Sequence, residues 1–397
     1  MKILLVHNTY QQPGGEDVVF EHERKLLESM GHQVQTYCRS NNEVDDSSLV
    51  KRLALVRNTI SNEQSRQQVS ELLKKEKFDV AHIHNTFMVI SPAIYAAFRE
   101  AGVPVVQTLH NYRLLCPAAT FYRDGRTCEE CSEQGVWHGA RNGCYRGSKA
   151  ATATVALMLT VHRKRGTWTD GVDRYIALSD FARQKFVGGG LPAEKISVKP
   201  NFVHPDPGAR SNGQGSYAAF VGRLSAEKGL GTLVAAWKIL GNRVPLLIAG
   251  DGPIYGDLRK QAEQFGLSSI TFCGRVPRQK AQEIIQGAAF AVFPSECYEN
   301  FPMGVVESFA SGVPVIASRL GALAEIVQDA RTGLHFTAGS AEELAAKVEW
   351  AWTNPERMRE LGRQARLAYE QHYTAERNYP LLMEIYQQAI GRRGAHA

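Results

Sequence analysis

The feature that most constrains this chain is an alternation of short Val/Ile/Leu runs with amphipathic helical stretches, which occurs twice along its 397 residues. Such alternation is typical of parallel sheets that carry helices on both faces. In the first half it predicts strands at residues 3–7, 34–37, 80–84, 103–109, 174–178 and 196–199. In the second half it predicts strands at residues 217–221, 245–249, 270–273, 289–293 and 314–317.

A Pro/Gly/Ser-rich stretch at residues 205–216 separates the two halves and predicts an interdomain linker. We therefore expect an α/β protein with two Rossmann-like domains, at residues 1–205 and 206–375, that face each other across a cleft. A further helical stretch, 376–390, could pack on either domain. Ligands of open α/β sheets bind at the carboxyl ends of the strands, so the cleft is the expected site.

Composition excludes several classes of protein. With 44% hydrophobic and 22% charged residues, the chain is neither disordered nor collagen-like nor a disulfide scaffold. The apolar run after Met1 is too short for a secretory signal, and no apolar stretch approaches the ~20 residues that span a bilayer. We expect a cytoplasmic protein whose seven cysteines stay reduced.

Paired glycines, Gly14 and Gly15, follow the first strand and open the first helix. Glycines allow backbone N–H groups to approach a ligand closely, and a helix N-terminus favours an anion. The alternative is an ordinary strand-to-helix turn.

The turn from Gly222 to Gly229 holds two cations, Arg223 and Lys228, between the first strand of the second half and a helix. An arginine binds a diphosphate through two parallel hydrogen bonds, and a lysine supplies a point charge. This context predicts a diphosphate site; the alternative is a solvated basic turn.

Two glutamates, Glu299 and Glu307, flank an apolar stretch after the strand at residues 289–293. A helix beginning at Pro302, a residue favoured at the first helical position, would place Glu299 in the loop and Glu307 in the helix. Both carboxylates could accept hydrogen bonds from sugar or ribose hydroxyls. The alternative is a pair of exposed surface acids.

These three motifs, in this order, resemble the glycosyltransferases of family four, which have the GT-B fold. The most specific element is the Glu-x7-Glu pattern with its flanks at residues 294–296 and 308–317, followed by the Gly-Arg-Leu-x3-Lys-Gly turn. The resemblance covers nearly the whole chain and implies a retaining, nucleotide-sugar-dependent enzyme, here of a subgroup with a cysteine-rich insert in the N-terminal domain.

The resemblance also implies roles for individual residues. Arg223 and Lys228 would hold the diphosphate and stabilise its charge as the sugar leaves, and Glu307 would bind the ribose. Glu299 and His110 would lie at the reacting sugar, as catalytic residues together with the two cations. The remaining donor contacts would come from Gly14, Gly15, Arg275, Val276, Asn300, Phe301, Pro302, Met303 and Gly304.

The implied reaction moves a sugar from a UDP- or GDP-sugar to a glycan or polyprenyl-linked acceptor, in polysaccharide or glycoconjugate synthesis. The chain contains no Asp-x-Asp pair for a divalent ion, so we expect transfer without a metal and no catalytic cofactor. Two alternatives remain. One is a non-transferring nucleotide-sugar enzyme of the same fold, such as an epimerase, and the other is a nucleotide-binding scaffold.

A cysteine-rich insert covers residues 110–147. Cys128 and Cys131 have the spacing of a zinc knuckle, and Cys116 and Cys144 flank them. Four thiolates could form a closed structural zinc site. The alternatives are reduced cysteines packed in a loop and a disulfide.

The net charge of +6 is unevenly distributed. Seven Lys or Arg residues and two acids occur within residues 141–174, where an apolar, threonine-rich stretch ends in Arg163, Lys164 and Arg165. This pattern predicts peripheral contact with anionic lipid at the inner membrane face. The alternative is a buried helix with a solvated basic end. Nucleic acid is not expected, because aromatic residues do not interleave with the charges.

Overall fold

The computed structural model describes residues 1–11, 14–45, 47–210 and 215–394, so residues 211–214 of the predicted linker lie outside the described part. The chain forms two compact units. The first comprises Met1–Phe121, Cys128–Pro200 and the chain from Asn378 onward, and the second comprises Tyr122–Thr127 and Asn201–Arg377. The main division thus follows Pro200, whereas the sequence placed it after residue 205 and assigned residues 122–127 to the first domain.

The strands in the described ranges are short. In chain order they are β1 (Lys2–Thr9), β2 (Gln33–Ser40), β3 (Val80–Ile83), β4 (Val105–Thr108), β5 (Tyr122–Arg123), β6 (Arg126–Thr127), β7 (Arg174–Ala177), β8 (Ile196–Val198), β9 (Ala218–Val221), β10 (Leu246–Ala249), β11 (Ile270–Gly274), β12 (Phe290–Phe293), β13 (Val315–Ser318) and β14 (Gly333–Phe336).

Helices follow most of these strands. They are α1 (Gly15–Ser29), α2 (Leu49–Ile60), α3 (Glu63–Lys75), α4 (Ile94–Glu100), α5 (Glu130–Glu133), α6 (Trp137–Asn142), α7 (Lys149–Lys164), α8 (Thr167–Asp170), α9 (Asp180–Gly188), α10 (Leu230–Leu240), α11 (Tyr255–Gln264), α12 (Arg278–Gln286), α13 (Met303–Ala310), α14 (Gly321–Ile326), α15 (Ala341–Thr353), α16 (Pro355–His372) and α17 (Ala375–Gly394).

Each unit is built on one parallel sheet. The first has six strands in the order β2-β1-β3-β4-β7-β8, and the second has six in the order β11-β10-β9-β12-β13-β14. The paired strands of both sheets run parallel. The prediction of two Rossmann-like α/β units is confirmed.

Alternate residues of the second sheet enter two separate hydrophobic layers. Phe220 and Val292 pack in one layer with α10 and α15, while Ala219 and Phe293 pack in the other with α13 and α16. Both faces of the sheet are therefore covered, which explains why its strands appear in the sequence as continuous apolar runs.

Local sequence sets the limits of the helices near the predicted sites. The carboxylate of Asp17 accepts a hydrogen bond from the Gly14 N–H at 2.6 Å and so caps the start of α1. That helix ends before Gly31, whose φ of 81° is a conformation that glycine adopts readily. Helix α13 begins at Met303, with Pro302 as its N-cap, so the predicted start at Pro302 was wrong by one residue.

Every strand predicted from the sequence has an observed counterpart, but three observed strands were missed. Strand β14 was not predicted, and the insert contains the two-residue strands β5 and β6, which pair antiparallel. Helix α17 groups with the first unit from Asn378 onward.

Candidate functional site

In the second unit, the strand order reverses between β9 and β12. From β9 the chain proceeds to β10 and β11 on one side, and from β12 it proceeds to β13 and β14 on the other. The loops that leave the carboxyl ends of β9 and β12 therefore diverge, and the space between them is the usual ligand position in open α/β sheets. Arg223 and Lys228 lie on the first of these loops, and Glu299 lies on the second.

The structure brings Lys228 and Glu299 into direct contact. The Lys228 Nζ lies 2.5 Å from the Glu299 Oε1, which also accepts a hydrogen bond from the Ser295 hydroxyl at 2.6 Å. Their side chains are 29% and 13% exposed, so this ion pair is shielded from water but still accessible. A cation and a carboxylate are thus held together at the point where the strand order reverses.

The two glutamates have pKa values displaced in opposite directions. Burial alone would raise the pKa of Glu299, but the Lys228 ammonium and the Ser295 hydroxyl hold it below its usual value. The pKa of Lys228 is raised, because the attraction of Glu299 outweighs the burial of the ammonium. At Glu307, burial dominates over the attraction of Arg278, and the pKa is raised. Glu299 is therefore a firmly ionised acceptor, and Glu307 carries its charge less readily.

Glycines allow the surrounding backbone to pack closely. A Cβ at Gly229, where φ is 68°, would lie 1.8 Å from the Pro294 carbonyl oxygen, and one at Gly250 would lie 1.8 Å from the Gly222 carbonyl oxygen. At Gly304 a Cβ would meet the Phe293 ring at 2.8 Å. Gly229 and Gly250 thus allow the loops after β9, β10 and β12 to approach one another, and Gly304 allows α13 to pack against the end of β12.

The other predicted donor-binding residues of the second unit follow the carboxyl ends of its strands and differ in exposure. Arg223 and Arg275 are exposed on the loops after β9 and β11, and Val276 is partly buried. Of the residues leading into α13, Asn300 and Pro302 are buried and Phe301, Met303 and Gly304 are partly buried. The N–H groups of the first turn of a helix have no partner within that helix, so this segment can bind an anion or a hydroxyl through its backbone.

In the first unit the strand order reverses between β1 and β3, and the predicted residues Gly14 and Gly15 follow β1. Beside them Glu16 accepts hydrogen bonds from Asn85 at 2.8 Å and from Asn111 at 3.2 Å. Burial raises the pKa of Glu16 to about 7, even though it lies at a helix N-terminus. Sequence reasoning missed this acid, which adjoins the glycine pair.

His110 lies two positions beyond the end of β4 and belongs to a buried polar network. Its Nε2 lies 2.9 Å from the Nδ1 of His84, and the His84 Nε2 lies 3.2 Å from a carboxylate oxygen of Glu23. The other Glu23 oxygen is 2.6 Å from the Lys199 ammonium. Sequence reasoning missed these three partners. The available signal was the pair His82-x-His84 at the carboxyl end of a predicted strand, which is the functional edge of such sheets.

The four cysteines of the insert lie in one neighbourhood but do not form a close ligand set. Burial raises the pKa of the Cys131 thiol to about 12, and the nearby thiols of Cys116, Cys144 and Cys128 add to that rise. None of the four is in a disulfide. Within the described ranges, ligand atoms of three residues approach within 4.8 Å of one another at Glu23, His82 and His84, and not among these cysteines. The structure thus differs from the predicted four-thiolate arrangement, whose zinc stays a prediction.

The basic stretch at residues 141–174 does not form one uniformly free face. Arg174 donates hydrogen bonds to the Glu194 carbonyl and to Gln388, and Arg163 donates to the Leu114 carbonyl at 2.6 Å. Lys164 and Arg165, at the end of α7, are exposed. Across the part of the chain that the structure describes, no helix is both long enough and apolar enough to cross a membrane.

Two family models match the chain in adjoining segments. Residues 13–207 match the model of Glycosyltransferase Family 4, and residues 207–368 match that of Glycosyl transferases group 1. The predicted resemblance is thereby supported for both halves.

Curated relatives are sugar transferases. The D-rhamnosyltransferase WbpZ of Pseudomonas aeruginosa is 32% identical over 158 residues, which is 39% of this chain and 41% of that protein. A GDP-mannose-dependent alpha-(1-6)-phosphatidylinositol monomannoside mannosyltransferase of Mycobacterium tuberculosis is 29% identical over 296 residues, 64% of this chain and 75% of that protein. The match to WbpZ thus spans less than half of that protein's length.

Solved structures share the fold at low sequence identity. The Anabaena protein HepE in complex with UDP aligns with a TM-score of 0.66 at 18% identity, covering 100% of both chains. The sucrose-phosphate synthase of Thermosynechococcus elongatus aligns with a TM-score of 0.73 at 17% identity, covering 98% of this chain and 99% of that one.

Proposed function

We propose that this chain, a glycosyltransferase of the family-4 type with the GT-B fold, moves a sugar from a nucleoside-diphosphate sugar to a glycan or lipid-linked acceptor. The observation that carries the proposal is the contact of Lys228 with Glu299, at 2.5 Å, where the strand order of the second sheet reverses. A lysine at this position can bind a diphosphate, and a carboxylate beside it can bind sugar hydroxyls.

The second unit supplies the donor site in this proposal. Lys228 and Arg223 bind the diphosphate and stabilise the negative charge that develops when the sugar leaves. Glu307 accepts hydrogen bonds from the ribose, and the start of α13 binds through its backbone N–H groups. Arg275 and Val276 contact the base, with much of that recognition made by the backbone. In the first unit, Gly14 and Gly15 approach the diphosphate, and His110 contacts a hydroxyl of the transferred sugar.

We propose a UDP- or GDP-sugar as the donor. The solved HepE structures contain UDP or UDP-glucose, and the mycobacterial relative is named for GDP-mannose. These names support a nucleotide-sugar and leave the base open between the two. We further propose that transfer retains the anomeric configuration, as the family resemblance implies.

The donor is tested by thermal shift with UDP, GDP, UDP-glucose and GDP-mannose. A ligand that binds the native state raises the free energy of unfolding, by about 2.7 kcal/mol at one hundred times Kd, and the melting temperature rises with it. We expect a shift with one base and its sugar and none with the other base. The Lys228→Met variant should lose the shift, and Lys260→Met, at an exposed lysine on α11, should keep it. No shift with any of the four would contradict the proposal.

We also propose that the reaction needs no divalent metal. Arg223, Lys228 and the helix N-termini can offset the charge of the leaving diphosphate, and the chain contains no Asp-x-Asp pair. Release of free nucleotide from the donor identified by thermal shift should continue in EDTA. Activity that EDTA abolishes and magnesium or manganese restores would refute this part.

For the acceptor we propose a polyprenyl- or lipid-linked glycan at an anionic membrane face, contacted through residues 141–174. The exposed cations Lys164 and Arg165 support this, and Arg163 and Arg174 are excluded from the test because both make structural hydrogen bonds. Flotation with anionic liposomes should fall for the double variant Lys164→Glu, Arg165→Glu. A matched change on α11, Arg259→Glu with Lys260→Glu, should leave flotation unchanged. Equal flotation of the first variant and the wild type would contradict the membrane contact.

A structural zinc at Cys116, Cys128, Cys131 and Cys144 remains a proposal that rests on their spacing and shared neighbourhood. Thiolates about 2.3 Å from an ion would have to approach one another more closely than they do here. Metal analysis of protein purified without chelator should find one zinc per chain, and the absence of zinc would remove the proposal.

A further inference from the structure

A line of buried polar side chains connects the end of β8 to His110. Lys199 contacts one oxygen of Glu23 at 2.6 Å, the other oxygen lies 3.2 Å from the His84 Nε2, and the His84 Nδ1 lies 2.9 Å from the His110 Nε2. The side chains of Lys199, Glu23 and His84 are 0%, 1% and 0% exposed. Such groups are costly to bury, so their arrangement calls for an explanation beyond packing.

The charges along this line are well defined. Burial alone would raise the pKa of Glu23, but Lys199, His84 and His82 lower it well below its usual range. Glu23 is therefore an ionised carboxylate. Burial lowers the pKa of His84 despite the attraction of Glu23, and it lowers the pKa of His110 far below the usual value. Both imidazoles are therefore neutral near pH 7, and each has one N–H and one lone pair.

These charges fix where the histidine protons lie. The His84 Nε2 is 3.2 Å from a Glu23 carboxylate oxygen, although the two atoms do not align as a hydrogen bond. The negative charge beside this nitrogen favours the proton there, so the His84 proton lies on Nε2. The His84 Nδ1 must then accept, and the His110 Nε2 must donate to it across 2.9 Å. In this tautomer the His110 Nδ1 carries a lone pair and can accept a hydrogen bond.

The neighbouring His82 lies beside this line, with its Nδ1 3.7 Å from a Glu23 oxygen, but its hydrogen bonds go elsewhere, and the cluster does not suit a metal. Both nitrogens of His82 have other partners, the Tyr386 hydroxyl at 2.8 Å and the Thr108 hydroxyl at 2.7 Å. The ligand atoms of Glu23, His82 and His84 lie within 4.8 Å of one another, but the Lys199 ammonium already neutralises the carboxylate. A cation there would meet that positive charge directly.

We propose that Glu23 and His84 are positioning residues that hold His110 as the Nε2–H tautomer, so that its Nδ1 accepts a hydrogen bond from a hydroxyl of the transferred sugar. This rests on the proposed function for the role of His110 and adds the two residues that set its polarity. A histidine fixed in the other tautomer would offer a donor and would leave the sugar hydroxyl without its acceptor.

The tautomer is measured by NMR on protein with ¹⁵N-labelled histidine rings, with the His110 signals assigned by their loss in His110→Gln. We expect wild-type His110 to carry its proton on Nε2, and a proton on Nδ1 would overturn the proposal. This measurement needs no substitution in the network, so it does not depend on whether a variant folds.

The Glu23→Gln variant then tests what sets the tautomer. The glutamine oxygen can accept from Lys199, and its NH₂ then faces the His84 Nε2 and favours a lone pair there, which would reverse the hydrogen bond between the two histidines. We expect the His110 proton to move to Nδ1 and kcat to fall about tenfold, the size of effect that the loss of one hydrogen bond in the transition state produces, with KM for the donor changed less than about twofold. Glu23→Asp should restore the wild-type tautomer and part of kcat. A folded Glu23→Gln variant with an unchanged tautomer and kcat would overturn the proposal.

The matched control is His82→Gln, on the same strand and in the same cluster but without contact to His110. It should leave the His110 tautomer unchanged, and a reversal there would contradict the specific roles of Glu23 and His84. If none of UDP, GDP, UDP-glucose and GDP-mannose raises the melting temperature of the wild type, the proposed function fails. The wild-type NMR result would still decide the tautomer separately.

Discussion

Each unit contains a lysine–glutamate pair near the carboxyl edge of its sheet, and the two pairs differ mainly in exposure. Lys199 and Glu23 in the first unit are 2.6 Å apart and 0% and 1% exposed. Lys228 and Glu299 in the second unit are 2.5 Å apart and 29% and 13% exposed. The contact distance is nearly the same, so the environment of each pair accounts for what it can do.

Both residues of the buried pair make several contacts within the protein. Lys199 also donates to the Asn378 side chain at 2.9 Å, and Glu23 faces two histidines, so no other group can replace either partner cheaply. The accessible pair makes fewer contacts within the protein, so an incoming phosphate can bind Lys228 while the lysine stays beside Glu299. We infer that the degree of burial decides the role of each charge pair. The buried pair orients its neighbours, and the accessible pair can exchange partners with a ligand.

The largest expected effect comes from breaking the buried pair. Lys199→Met leaves the Glu23 carboxylate buried without its cation, and we expect a loss of about 3–5 kcal/mol in the free energy of unfolding. Urea denaturation measures this loss. The same substitution at the accessible pair, Lys228→Met, leaves a partly buried carboxylate and should cost less, about 1–3 kcal/mol, between the values for exposed and for fully buried pairs. Equal losses at the two positions would contradict the comparison.

For activity we expect the accessible pair to matter more than the buried pair. Lys228→Met removes a cation from the developing diphosphate charge, and we expect kcat to fall about 10²–10³-fold while the fold is retained. Initial rates of nucleotide release measure the effect, with circular dichroism as the check on folding. The control Lys260→Met should keep wild-type kcat. A Lys228→Met enzyme with full activity would show that this pair does not bind the donor.

Glu16 differs from both glutamates of these pairs, because two side-chain amides contact it in place of a lysine. Folding raises its pKa from the ordinary 4.5 to about 7. The protonated form is therefore favoured in the native state, and stability decreases as the pH rises from about 4.5 to about 7. Glu16→Gln should abolish this part of the pH dependence and stabilise the protein above pH 7 by up to about 3 kcal/mol. Urea denaturation across this pH range, with Glu21→Gln on the exposed face of α1 as the control, tests it. Parallel stability profiles for wild type and Glu16→Gln would contradict it.

The smallest effect is expected at a fully accessible pair. Arg243 and Glu349 form an ion pair with side chains 61% and 49% exposed. Water screens such charges, so Glu349→Gln should change the free energy of unfolding by no more than about 0.5–1 kcal/mol. The losses in free energy of unfolding would then decrease from Lys199 to Lys228 to Glu349 as the exposure of the pair increases. A loss at Glu349 similar to that at Lys199 would contradict this ranking.

Much of the fold could be predicted from the sequence because buried parallel strands are continuous apolar runs. The strand at Gly333–Phe336 escaped prediction because its four residues, Gly-Leu-His-Phe, are too few and too mixed to show a pattern. The start of α13 was misplaced by one residue because Pro302 is favoured at the first helical position yet here precedes it, as the N-cap.

The candidate site was predictable only where its residues are close in the chain. The turn with Arg223 and Lys228 and the segment from Glu299 to Glu307 each form a local pattern, although their contact joins positions 71 residues apart. Glu23, His84 and Lys199 form no such pattern, because a glutamate on a helix and a lysine after a strand usually face solvent. Only the sheet topology brings them together.

The return of α17 to the first unit has a consequence for how the protein is made. Asn378 donates to the Pro200 carbonyl and accepts from Lys199, and Tyr386 is paired with His82. During synthesis these contacts can form only after the whole second unit has been translated. The first unit therefore emerges first and is finished last. Its buried Lys199 must wait through about 180 residues of translation for Asn378, at elongation rates near 5–20 residues per second.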